Sequence, residues 1–97
     1  MYARVMSAQV DPDQLDRLIK IVCESSLNDS RQHRGFRGAY GLVDRSNGHG
    51  MLITLWDTAE DLEDVEASGI LGNALAGVMS CLDGPAIRET YEVAIES

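Results

Sequence analysis

The stretch GHGMLITLWD, residues 48–57, constrains the fold of this chain more than any other. It alternates as a strand, with Met51, Ile53 and Leu55 on one side and Leu52, Thr54 and Trp56 on the other, so both faces are largely apolar. Such a strand has to be covered twice, because contiguous apolar surface left to water marks an interaction site.

The neighbouring segments supply one cover. YARVMSAQV reads as a first strand, and DPDQLDRLIKIVCESSL as a helix that Asp11 caps and Pro12 opens. Leu15, Leu18, Ile19 and Val22 recur there at helical spacing and leave Asp13, Asp16, Arg17 and Lys20 to water. The polar run NDSRQHRG leads into FRGAYGLVDR, a second strand with Phe36, Tyr40 and Leu42 on one side. Asn47-Gly48 then predicts a type I′ turn and an antiparallel hairpin into the third strand.

Asp57 or Thr58 can cap a second helix, whose acidic first turns suit the positive end of the helix dipole. Leu62 and Val65 carry its apolar stripe. Gly69 and Gly72 each cost a helix about 1 kcal/mol relative to alanine, so a break is expected between Ser68 and Gly72. A further helical piece with Leu75, Val78, Met79 and Leu82 runs to Gly84-Pro85, and AIRETYEVAIES alternates as a last strand. The order is β-α-β-β-α-β, an α+β, ferredoxin-like arrangement with a four-stranded antiparallel sheet and both helices on one face. The other face stays open, and a second copy of the same sheet is its simplest cover, since a two-fold axis makes a patch self-complementary.

Length and charge narrow the function. The 97 residues suit one domain, read as 1–97, and the formal charge of −8 opposes nucleic acid and anionic membranes as partners. No apolar run reaches the roughly 20 residues that span a bilayer, and the first residues alternate instead of forming a leader, so a cytoplasmic location is expected. Cys23 and Cys81 have no metal or redox spacing and read as small buried hydrophobes, and no metal site is expected. The acidic run from Asp57 to Glu66 fits no cation-loop spacing and reads as a solvated helix face.

Several side chains are candidates for chemistry. Trp56 could stack on a planar ligand or plug the end of a core, and Tyr40 and Tyr91 could donate a hydrogen bond to a phenolic substrate or merely pack in the sheet. His33 and His49 alone have ordinary pKa values near neutrality; His49 belongs to a solvated turn, while His33 could overhang a pocket. Arg4 either pairs with a glutamate of the last strand or points into a cavity.

The block GFRGAYGLVDRSNGHGMLITLWDTAEDLED, residues 35–64, preceded by YARV and followed by YEVA, resembles the antibiotic-biosynthesis monooxygenase type of the dimeric α/β-barrel superfamily. The resemblance implies a homodimer whose two sheets form a barrel, with a pocket in each subunit between sheet and helices. It implies oxidation of small aromatic, polyketide-like compounds by oxygen without metal or flavin, so no cofactor is expected. The alternative within the same fold is a non-catalytic dimer that binds small molecules or serves in stress. Haem-degrading relatives use a histidine and a tryptophan on the second helix and an asparagine on the first strand, and this chain has none of them. The quinone-forming enzymes resemble it in a tryptophan at the position of Trp56 but pair it with an asparagine, where Leu52 and Thr54 stand here. On that resemblance Trp56 would stack on the substrate, Tyr40 or Tyr91 would donate a hydrogen bond, Thr54 and Leu52 would border the ligand, and Arg4 or His33 would favour its anion.

Overall fold

The computed structural model describes residues 1–69 and 78–97. Four strands, β1 (Tyr2–Gln9), β2 (Phe36–Asp44), β3 (His49–Trp56) and β4 (Ile87–Glu92), form one antiparallel sheet in the order β2-β3-β1-β4. Between β1 and β2 lie a short helical turn (Pro12–Gln14), α1 (Leu15–Ile21), a π-helical turn (Val22–Ser26) and α2 (Leu27–Ser30). After β3 comes α3 (Ala59–Ala67). The ferredoxin-like α+β arrangement expected from the element order is the one observed.

Local chemistry sets the element ends. The Asp11 carboxylate accepts the Asp13 N–H at 2.9 Å, and Pro12 needs no donor in the first turn. Thr58 caps α3 by accepting the Asp61 N–H at 3.1 Å. Helix α3 closes on Ser68, and Gly69 follows at φ +82°, so the expected break begins there. Its continuation to Gly72, and Leu75 of the further helical piece, lie outside the described residues. Of that piece, Met79–Cys81 forms a single tight turn, after which Leu82 bridges to Val10.

The β2–β3 hairpin forms, but not through a type I′ turn. Asp44 pairs with His49, and the Gly48 N–H closes a wider loop on the Asp44 carbonyl at 2.8 Å. Only Gly48 in this loop has positive φ, at +78°. A Cβ there would lie 1.8 Å from the Val10 carbonyl oxygen, which makes glycine obligatory. The Asp44 carboxylate accepts both the N–H and the hydroxyl of Ser46, and these bonds hold it below the usual carboxylate range.

Pairing register assigns every side chain to a face. Tyr2, Arg4, Met6 and Ala8 of β1 stand opposite Trp56, Thr54, Leu52 and Gly50 of β3, and all of them face the helices. Val5, Ile53, Leu55 and Met51 face the other way, as the alternation of strand three requires. Strand β2 departs from simple alternation: Phe36 pairs with Trp56 but Gly38 with Leu55, so Arg37 is the extra residue of a β-bulge, with Gly38 at φ +148°. Phe36 therefore joins the helix side, while Tyr40 and Leu42 stay on the open side, contrary to the single face expected for all three.

Strand β4 is shorter than its alternation suggests. The Val93 N–H bonds the Met1 carbonyl at 2.9 Å, and the ladder with β1 ends at the Tyr2–Glu92 pair. Ile95 is consequently exposed.

Two apolar clusters anchor the helices to the sheet. Trp56, Leu62 and Val65 form one, with Tyr2, Met6 and Phe36 against them. Val10, Leu15 and Cys81 form the other, with Leu18, Ile21 and Leu82. Cys81 is buried as expected, whereas Cys23 is exposed.

Candidate functional site

Between the two clusters the helix-facing side of the sheet is not filled. A cavity of about 320 Å³ lies there, with Met6, Ala8, Gly41, Gly50 and Leu52 on the sheet side and Leu18, Val22, Cys23 and Leu27 on the helical side. Val10, Val78 and Leu82 border it as well. Aliphatic walls of this kind bind through excluded water and shape, and the volume is in the range of small-molecule sites.

The helical wall owes its form to the π-helical turn at Val22–Ser26. Ser25 donates its hydroxyl back to the Ile21 carbonyl at 2.6 Å, an internal bond that bends helices, and π turns of this type recur at functional sites. Val22 and Cys23, at the start of the widened turn, both border the cavity. Cys23 is exposed because the cavity opens beside it rather than closing over it.

Trp56 packs beside this space, not on it. Its ring is fully buried, meets Phe36 edge to face with centroids 5.4 Å apart, and donates its indole N–H to the Thr54 hydroxyl at 3.0 Å. Thr54 is buried as well. Arg4 lies on the same face, 4% exposed, and its guanidinium pairs with Glu66 of α3. Arg4 neither pairs with a glutamate of the last strand nor borders the cavity: Thr90 stands opposite it on β4, Glu89 is on the other face and Glu92 stands opposite Tyr2. Burial, and then the neighbouring Arg88, lower the Arg4 pKa, and its Nε has no hydrogen-bond partner.

No family model matches the chain, and no curated protein matches it in sequence. Solved structures do match in shape. A monooxygenase of Streptomyces coelicolor, in complex with the ligand nanaomycin D, superposes with a TM-score of 0.82 at 17% identity, over 99% of this chain and 91% of that one. An antibiotic biosynthesis monooxygenase gives 0.76 at 14% identity, over 98% and 100%. A Nitrosomonas europaea protein of unknown function gives 0.78 at 13% identity, over 99% and 91%. The chain has the antibiotic biosynthesis monooxygenase fold. At such identities the likeness establishes the fold and leaves activity to be argued from the site.

Within this fold the candidate residues divide between two faces. Leu52 borders the cavity, and Trp56, Thr54 and Arg4 share its side of the sheet without lining it. Tyr40 and Tyr91 are 64% and 51% exposed on the opposite face, where they cannot meet a ligand held under the helices. The Tyr91 hydroxyl donates to Glu89, which raises its pKa and makes it a weaker acid than free tyrosine. His33 sits in the connection before β2, its N–H bonded to the Ser30 carbonyl at 3.0 Å, and does not border the cavity.

Sequence reasoning missed Met6, Ala8, Gly41, Gly50 and Leu27 as lining residues. The available signal was a glycine inside each of two strands, since an interior strand glycine marks a bulge or a close approach. Among the described residues, no group of three or more His, Cys, Asp or Glu is placed to hold a metal ion, and no helix is long and apolar enough to cross a membrane.

Proposed function

We propose that the protein is a homodimer that holds a small, flat, apolar compound in the cavity between sheet and helices. The observation that carries this reading is the cavity itself, about 320 Å³ of unfilled space under aliphatic walls in an otherwise packed layer. Binding is driven by removal of apolar ligand surface from water. The test is a titration of 1,8-dihydroxyanthraquinone into the protein, followed by the probe's absorbance and by protein melting temperature. Saturable binding at micromolar concentration with a raised melting temperature supports the reading; no binding by this probe or by other apolar probes of similar size removes it.

The open sheet face supports the homodimer. Tyr40 and Leu42 of β2, Ile53 of β3, Val5 of β1 and Ile87 and Tyr91 of β4 form a largely apolar patch across all four strands, with Glu89 between Ile87 and Tyr91. Ile87 is 56% exposed. Two such patches meet face to face about a two-fold axis, which closes the barrel. Replacing both Tyr40 and Ile87 by glutamate places four uncompensated carboxylates in that interface and is expected to weaken the dimer by more than about 100-fold. Sedimentation should show dimers for the unaltered protein and monomers for the variant at micromolar concentration. A monomeric parent protein would contradict the dimer.

Oxidation of the bound compound is the second reading, favoured by the monooxygenase neighbours. Among the described lining residues Cys23 is the only titratable one, so the protein's contribution would be to position an acidic phenol or enol and exclude water from it. An oxygen electrode with anthrone as substrate measures this directly. Uptake no faster than without protein leaves binding alone as the function.

A further inference from the structure

Gly41 and Gly50 stand on the cavity floor in neighbouring strands, Gly41 opposite Leu52 and Gly50 between Ala8 and Val43. Glycine in a strand interior usually has one of two causes, a backbone conformation closed to other residues or a neighbour too close for a side chain. Neither applies here. Neither glycine has positive φ, and among the described residues a Cβ built on either would meet no heavy atom within 4 Å. Gly41 is exposed and Gly50 buried, and both border the cavity. Gly48, two residues earlier, shows the contrast, because its Cβ would collide with the Val10 carbonyl.

We infer that Gly41 and Gly50 determine specificity by setting the headroom of the cavity, so that with Ala8 they leave a strip of bare sheet running diagonally across β2, β3 and β1, on which a fused-ring ligand lies flat. The inference rests on the binding reading above and adds the residues that select the ligand's shape. Planar rings can approach bare backbone to van der Waals distance, and each added methyl lifts them towards Leu18 and Val22 on the opposite wall. A flexible chain can bend around the same methyl. The two glycines therefore discriminate by thickness and rigidity rather than by a polar contact.

The experiment compares Gly50→Ala, Gly41→Ala and Gly50→Val with the unaltered protein, using 1,8-dihydroxyanthraquinone as the planar probe and dodecanoate as the flexible one. Gly84→Ala, where a Cβ also meets nothing within 4 Å but the residue does not line the cavity, is the control. Alanine at position 50 or 41 is expected to weaken the planar probe about 3- to 10-fold and valine at 50 by more than 10-fold, with dodecanoate affected less and Gly84→Ala without effect. Melting temperatures of the alanine variants should stay equal or rise, since the native backbone suits alanine and the unfolded chain loses freedom. Equal planar binding by parent and variants overturns this inference and leaves the binding reading intact. Alanine variants that melt well below the parent overturn it as well, because glycine would then be required by the fold. Failure of the parent to bind either probe removes both.

Discussion

Replacing Trp56 by alanine should lower the unfolding free energy by about 3–5 kcal/mol, the usual cost of emptying a fully buried aromatic site. The indole joins β3 to α3 through Leu62 and Val65, and its edge-to-face contact ties in Phe36 at the start of β2. Losing it leaves a cavity bordered by three elements and strands the Thr54 hydroxyl without its donor. Trp56→Phe keeps most of the apolar volume and should cost about 1–2 kcal/mol, mainly through smaller size and that unpaired hydroxyl. Urea unfolding measures both. Because Trp56 does not line the cavity, Trp56→Phe should bind the planar probe within about 2-fold of the parent protein. A drop of more than 10-fold in affinity, with stability preserved, would restore the tryptophan to the ligand site.

The second large effect is expected at Glu66. Its carboxylate is the counter-charge of Arg4, which is 4% exposed, while Glu66 itself is 41% exposed. Removing one partner of a fully buried pair costs roughly 3–5 kcal/mol, because the other charge is left in a poor dielectric. Water reaches the Glu66 end, so Glu66→Ala should cost less, about 2 kcal/mol. The double variant Arg4→Met, Glu66→Leu removes both charges and keeps apolar volume, and should recover most of that loss. Urea midpoints for the single and double variants give the answer. A Glu66→Ala cost below about 0.5 kcal/mol would mean that the guanidinium is solvated in the native state.

Much of the architecture was legible from periodicity. The two apolar faces of strand three, the cap at Asp11, the choice of Asp57 or Thr58 as the next cap, which falls on Thr58, and the onset of a break after Ser68 each follow from local chemistry. Three features were hidden for physical reasons. An extra residue in a strand does not show in an alternating pattern, so alternation groups Phe36 with Tyr40 and Leu42 although the bulge separates them. Arg4 has its partner on α3, across the layer between helix and sheet, and strand alternation alone does not show contacts between layers. The cavity was hardest to foresee, because a sequence names side chains and the floor of this site is made by their omission at Gly41 and Gly50. Tyr40 and Tyr91 carry suitable hydroxyls for phenol chemistry, yet their strand parity places them on the side opposite the cavity.

The bulge at Arg37 has a consequence for how such a chain can diverge. Downstream of it, Gly41 is directed to the cavity side of the sheet and Tyr40 and Leu42 to the open side. Loss of that single codon would leave a regular ladder, with Phe36 opposite Trp56 and the next residue opposite Leu55, and would keep Gly41, Tyr40 and Leu42 on the faces they already occupy. The strand therefore tolerates a change of length at this one point, and its two faces can drift separately by substitution at alternate positions.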